Sequence, residues 1–181
     1  MKRSLTIGWL YPDLMSTYGD RGNILVLQKR CSWRGIDVSV LTIDPTTDED
    51  KLKKIDLIFG GGAQDREQEI VMRDLKKHKG KIIKELIENN APALFVCGAP
   101  QLMGKFYEPA VGKRIEGLGI FDMETRNPGP QAPRLIGNIV AKVACQNLLG
   151  HPGVPPSGTI GSHLTDSIAS PRSADMNVAS L

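Results

Sequence analysis

Cys97 stands at the end of an apolar run, Ala93-Leu94-Phe95-Val96, and the small-residue turn Gly98-Ala99-Pro100 follows at once. A buried strand that delivers a nucleophile to the first turn of the next helix has this pattern. The helix N-terminus then favours the reactive thiolate. A buried cysteine acting as a small hydrophobe fits the same pattern, and both readings stay open at this level. A second candidate is Gly60-Gly61-Gly62, directly after another apolar run and before Ala63-Gln64-Asp65-Arg66-Glu67-Gln68. It lacks the GxxxxGK[ST] spacing and the lysine of a phosphate-binding loop. Asp65 and Glu67 would also set negative charge where a bound anion must sit. A backbone N–H donor to an oxyanion beside Cys97 is the better chemical reading; a plain strand-to-helix turn, which also wants glycine, is the other.

A cysteine nucleophile needs a base. His78 lies in Lys76-Lys77-His78-Lys79, a pattern expected of a solvated helix end; the remaining histidines, His151 and His163, come late in the chain. Cys31 shares a helical face with Ile24 and Leu27 and is expected in the core. Cys145 carries no signal. The polar segment 11–23 reads as a loop, with Asp20 as the N-cap of the helix after it.

These residues need elements to hold them. Strands are expected at 4–11, 36–43, 55–59 and 94–96. Helices are expected at about 20–34, with Gly35 just past the end, at about 65–77, and across Ile82, Ile83, Leu86 and Ile87. The turn cluster Asp44-Pro45-Thr46-Thr47-Asp48 separates two of them. Strands alternating with helices imply crossover units and a mostly parallel sheet. Sites in such sheets form at the carboxyl ends of the strands, which would let residues 60–62 and Cys97 face one crevice.

The chain has 181 residues, 23 basic and 20 acidic, for a net charge of +3. No basic stripe with interleaved aromatics points to nucleic acid. No apolar run approaches the roughly 20 residues of a membrane span, and the basic start is too short in apolar residues for a signal peptide. Three cysteines without a CxxC pair argue against a disulfide framework or zinc site and suit a reducing cytoplasm. Composition shifts after residue 143: from 144 to 181 only Asp166, Asp175 and Arg172 are charged, and Ser, Pro and Gly are frequent. Residues 1–143 are expected to form the domain, and 144–181 an irregular or truncated tail.

Read together and in order, Leu10-Tyr11-Pro12-Asp13-Leu14-Met15, Tyr18-Gly19-Asp20-Arg21-Gly22-Asn23-Ile24, Trp33-Arg34-Gly35-Ile36, residues 60–68, residues 97–104, Gly117-Leu118-Gly119 and Arg134-Leu135-Ile136-Gly137-Asn138-Ile139-Val140 resemble the GatD family. GatD is the glutaminase subunit of lipid II isoglutaminyl synthase, within the CobB/CobQ-like class I glutamine amidotransferases. The resemblance covers roughly residues 5–143. It implies a flavodoxin-like α/β amidotransferase domain with a mostly parallel sheet, incomplete at the C-terminus. Cys97 would attack the side-chain amide of glutamine, giving a glutamyl thioester, ammonia and then glutamate. Gly98 and Gly61 would donate backbone N–H groups to the oxyanion. Arg134 would bind the substrate α-carboxylate bidentately, and Gln101 would support the cysteine turn or line the pocket. No metal or nucleotide cofactor is implied for the glutaminase. Ammonia would pass to a MurT-like, ATP-dependent Mur-ligase partner that amidates the stem peptide of lipid II.

The chain departs from the family pattern at four places. Ala99 and Pro100 replace Gly and Tyr after the cysteine; Pro100 suits a first helical turn, whose N–H groups lack intrahelical partners, whereas Ala99 adds a Cβ where packing is tight. Ala63 lengthens the glycine turn. The late catalytic histidine aligns with Thr165; His163, two positions earlier and so on the same face if the segment is a strand, is the candidate substitute base, the alternative being a truncated or frame-shifted end that leaves the dyad incomplete. Two rival readings remain: a catalytically impaired homologue that keeps only partner binding, and an unrelated small-ligand-binding α/β domain.

Overall fold

The structure is a computed structural model that describes residues 3–132 and residue 138. The expected boundary at 143, Arg134, Cys145, His151 and His163 lie outside the described residues.

Four parallel strands form the main sheet in the order β2-β1-β3-β4: β1 Arg3–Leu10, β2 Ile36–Ile43, β3 Leu57–Gly60 and β4 Ala93–Phe95. Alternation along the strands sets the two faces. Ile7 and Phe59 turn to the face covered by α1 (Arg21–Ser32) through its buried Ile24, with Leu27 packed at the edge. Leu10, Ile43 and Ile58 turn to the opposite face. There they meet α2 (Glu49–Leu52), α3 (Asp65–Asp74), α4 (Gly80–Glu88) and α5 (Gly98–Met103) through Leu52, Val71, Met72, Ile83, Ala99, Leu102 and Met103. The mostly parallel α/β sheet expected from the alternation of elements is present. Gly35 ends α1 with φ +66°, a conformation glycine adopts without a Cβ penalty.

Register is the feature that positions the chemistry. Leu10 pairs with both Ile43 and Gly60, and Gly60 pairs with Phe95. All four strands therefore finish in one row, and the residues just beyond it (Tyr11, Gly61 and Gly62, Val96 and Cys97) emerge side by side at the carboxyl edge.

Three expectations change. The helices expected at 65–77 and around 82–87 are not separated by a loop; a π-helical turn, Leu75–Lys79, joins α3 to α4. Nor is Lys79 a solvated helix end. It is 1% exposed, and its Nζ bonds Asp74 Oδ2 at 2.7 Å and the Pro45 carbonyl at 3.3 Å. The wider π turn brings residues five apart onto one face, which an α-helical turn does not. The same Asp74 oxygen accepts the Tyr11 hydroxyl at 2.5 Å. Burial, and then that hydrogen bond, hold the Tyr11 phenol far above its ordinary range. His78 does face solvent, near Glu49. Cys31 is half-buried rather than a core residue, because only Ile24 of its helical face is fully covered.

A second, small sheet was not visible in the sequence. Its strands are β5 (Phe106–Glu108), β6 (Ile115–Glu116) and β7 (Glu124–Arg126), in the order β6-β5-β7, antiparallel on one side of β5 and parallel on the other. Gly117 lies directly on the Gly104 carbonyl at the end of α5, a contact no side chain could make. Among the described residues no helix is long and apolar enough to cross a membrane.

Candidate active site

The thiol is held in an unusual backbone conformation. Cys97 has φ +56° and ψ −109°, a region that L-residues rarely occupy. Such a residue costs about 1–3 kcal/mol and persists only when its surroundings fix it. The surroundings here are specific. The Val96 amide donates to the Gly60 carbonyl at 2.9 Å, and the Ala99 amide to the Val96 carbonyl at 3.2 Å. α5 starts at Gly98, where a Cβ would lie 3.0 Å from Gln68 Nε2 and 3.1 Å from the Ala63 amide nitrogen. Ala99 is fully buried, and its methyl would be 2.9 Å from a Cβ at Gly60. The methyl that Ala99 adds is thus accommodated by the missing one at Gly60. Pro100 is the third residue of α5, and its carbonyl still accepts from the Gly104 amide at 3.0 Å. The Cys97 side chain remains exposed.

The glycine turn faces this thiol. A Cβ on Gly62 would sit 3.0 Å from Cys97 Sγ and 3.0 Å from Tyr18 Cδ2. The sulfur therefore looks onto bare backbone, with the Tyr18 ring at the mouth. Asp20, 3% exposed, accepts the Gly62 amide through Oδ2 at 2.8 Å. Its side chain makes no capping bond to α1. The N-cap role expected of Asp20 is corrected here. Its backbone is already helical, at φ −59° and ψ −21°, rather than extended as a capping residue usually is. Its carboxylate instead crosses to the glycine turn. Gly61 packs against that carboxylate and the Met15 carbonyl, and a Cβ there would be 2.6 Å from Asp20 Cγ.

Gln101 is 7% exposed and turns inward beneath the cysteine turn. Its Oε1 accepts Gln68 Nε2 at 2.9 Å, and the same Nε2 donates to the Ala63 carbonyl at 3.1 Å. Of the two roles expected for Gln101, its contacts are those of support. Gln68 escaped the sequence reading, although a signal existed: with Val71, Met72 and Leu75 it occupies the buried stripe of an otherwise charged helix. A further neighbour is Tyr107, whose hydroxyl donates to Asp65 Oδ1 at 2.9 Å. Burial first, then the Asp65 hydrogen bond and the charges of Asp65 and Cys97, raise the Tyr107 phenol well above its ordinary range.

Cys97, Gly98, Gly61 and Gln101 lie in one neighbourhood at the carboxyl edge of the sheet, and Cys31 lies apart on α1. The open concavity between the residue 45–50 segment and the π turn, lined by carboxylates with His78 and Lys79, is remote in sequence and in lining from Cys97 and holds no nucleophile. Among the described residues no group of three or more His, Cys, Asp or Glu is placed to hold a metal ion.

Residues 6–154 match the model of the CobB/CobQ-like glutamine amidotransferase domain. Two curated relatives carry the name lipid II isoglutaminyl synthase (glutamine-hydrolyzing) subunit GatD. The one from Streptococcus pneumoniae is 42% identical over 135 residues, 75% of this chain and 50% of the relative. The one from Staphylococcus aureus is 39% identical over 136 residues, 75% of this chain and 54% of the relative. The chain spans about half the length of the curated relatives it matches.

Proposed function

The chain belongs to the CobB/CobQ-like glutamine amidotransferase domain family, and from that premise we propose that it is a glutaminase subunit of GatD type. The observation that carries the reading is the strained Cys97, exposed and set against the bare backbone of Gly62. In the reaction the Cys97 thiolate adds to the side-chain carbonyl carbon of glutamine. The carbonyl oxygen becomes an oxyanion, for which the backbone of Gly98 and of the glycine turn supplies donors. The intermediate collapses as the nitrogen takes a proton and leaves as ammonia, and a γ-glutamyl thioester remains. Water then adds to the thioester, glutamate departs and the thiol is restored. His163 is the proposed proton carrier and Arg134 the proposed partner of the substrate α-carboxylate.

By the same reading, ammonia is delivered to a MurT-like Mur ligase that uses ATP to activate the stem-peptide carboxylate of lipid II. The pair works in the cytoplasm as a heterodimer. The test is covalent labelling with a glutamine analogue bearing an electrophile at the amide position. Cys97 should be modified and Cys31 spared, and free glutamine should protect Cys97. Equal labelling of both cysteines, or no protection by glutamine, would reject the substrate.

A further inference from the structure

The Gln68 side chain does more than fill the core. Both hydrogens of its amide are committed, one to the Ala63 carbonyl at 3.1 Å and one to Gln101 Oε1 at 2.9 Å. Ala63 closes the glycine turn, and Gln101 stands in the helix that starts at Gly98. Gly98, the residue after the nucleophile, lies on the amide itself: a Cβ there would be 3.0 Å from Gln68 Nε2. The side chain is 2% exposed, and its own Oε1 is buried without a hydrogen-bond partner. Leaving a buried carbonyl unpaired is costly, so packing alone would be served better by an apolar side chain.

We propose that Gln68 is a positioning residue: its amide is a strut that fixes the spacing between the glycine turn and the Cys97–Gly98 turn. The proposal rests on the reading of Cys97 as the glutaminase nucleophile. That spacing decides whether a carbonyl carbon held at Sγ also presents its oxygen to backbone donors from both sides. An error of about 1 Å in such an arrangement costs on the order of 100-fold in rate. The strut acts on the transition state more than on glutamine binding, because the donors matter as charge develops on the oxygen.

The test compares glutamate release and thermal midpoint for the wild-type protein, Gln68→Leu, Gln101→Leu, the double variant and Gln68→Glu. In Gln68→Leu, kcat should fall about 10- to 100-fold while KM for glutamine stays within about threefold, since the substrate contacts are untouched. Each single variant orphans a buried acceptor or donor and should lower the midpoint. The double variant removes both members of the Gln68–Gln101 pair, leaving only the Ala63 carbonyl without its donor, and should recover part of it, but kcat should stay low. A kcat that recovers with the midpoint would show that packing is all Gln68 supplies. Wild-type kcat in Gln68→Leu would also overturn the role. Gln68→Glu adds a pH readout: its protonated carboxyl keeps one donor, and its ionised form keeps none and faces two acceptors. Its kcat relative to wild type should therefore fall as pH rises; a ratio constant with pH would contradict the strut. Absence of glutamate release by the wild-type protein would remove the reaction and this role together, whereas normal release with an indifferent Gln68→Leu would remove this role only.

Discussion

The two ends of α3 solve the same problem with different chemistry. Near its start, Gln68 ties the helix to the Ala63 carbonyl and to Gln101 through neutral amide hydrogen bonds. At its end, Asp74 receives the buried Lys79 ammonium and the Tyr11 hydroxyl. The neutral bridge lies beneath the thiol turn. The ionic one holds Tyr11, the first residue beyond β1, in a positive-φ conformation of +44°. From Tyr11 the chain turns through the Leu14 and Met15 amides, both donated to the Tyr11 carbonyl, toward Asp20 and the glycine turn. A buried charge under the reactive sulfur would bias its ionisation and that of the oxyanion, because Coulomb interactions are strong away from water. A dipolar amide fixes distance without adding to the charge that the buried Asp20 carboxylate already brings to the glycine turn. Where no chemistry occurs, an ion pair can serve as the fastener.

The comparison breaks most easily at the ionic end. Lys79→Met should destabilise the protein by about 3 kcal/mol, because it leaves the largely buried Asp74 carboxylate without its counter-ion and held by the Tyr11 hydroxyl. Urea unfolding measures this. The residual folded protein should keep its kcat, since Lys79 touches nothing at the thiol. A large kcat loss at full folding would erase the distinction between the two ends.

Asp20→Ala should do the reverse. It frees the Gly62 amide from its acceptor and loosens the turn opposite Sγ, so steady-state kinetics should show kcat reduced about 10- to 100-fold. The loss of one hydrogen bond to a charged acceptor should cost about 1.5–3 kcal/mol of stability, less than the Lys79 change. A variant with unchanged kcat would show that the Asp20–Gly62 contact does not align the site.

The smallest effect concerns the tyrosines at either end of the helix. Tyr11 hydrogen-bonds Asp74, Tyr107 hydrogen-bonds Asp65, and each phenol is raised above the ordinary value of 10.0 by burial and then by its carboxylate. A raised folded-state value stabilises the protein fully below the unfolded value and loses that contribution as pH rises above it. Stability from this source should therefore be constant below about pH 10 and decline above it. Phenolate absorbance should appear for these two residues only as the protein unfolds. Tyr11→Phe should flatten the alkaline part of the stability profile, and early ionisation of either residue in the folded state would contradict the burial argument.

Sequence and structure agree where a residue's environment is local or periodic. The alternation of 36–43 and Gly35 past α1 reach their expected places, because strand period and turn chemistry act over a few residues; the run into Cys97 forms its strand, but Ala93 and Leu94 are exposed rather than buried. Departures arise where a contact spans the chain. Asp20 has the composition of an N-cap, yet its partner is Gly62, 42 residues away. Lys79 sits in a basic run that reads as solvated, and only the π turn and Asp74 take it inside. β5, β6 and β7 are too short, two or three residues each, to carry a period. The family resemblance rested on the order of motifs, which is why it survived these local errors. Within the site, Cys97, Gly98 and the glycine turn were legible as strand ends. Gln68 required noticing an amide among apolar neighbours on a buried stripe, and Tyr107 required knowing that β5 returns toward Asp65.

The central claim is that Cys97, held by the register of four strand ends against the glycine turn, is the nucleophile of a glutaminase. The most direct measurement is glutamate release from glutamine by wild-type protein, Cys97→Ala and Cys31→Ala, each alone and with the proposed ligase partner present. Cys97→Ala should lose at least about 10³-fold in rate, and Cys31→Ala should match wild type. Glutamate release by Cys97→Ala at a rate comparable with wild type would contradict the account.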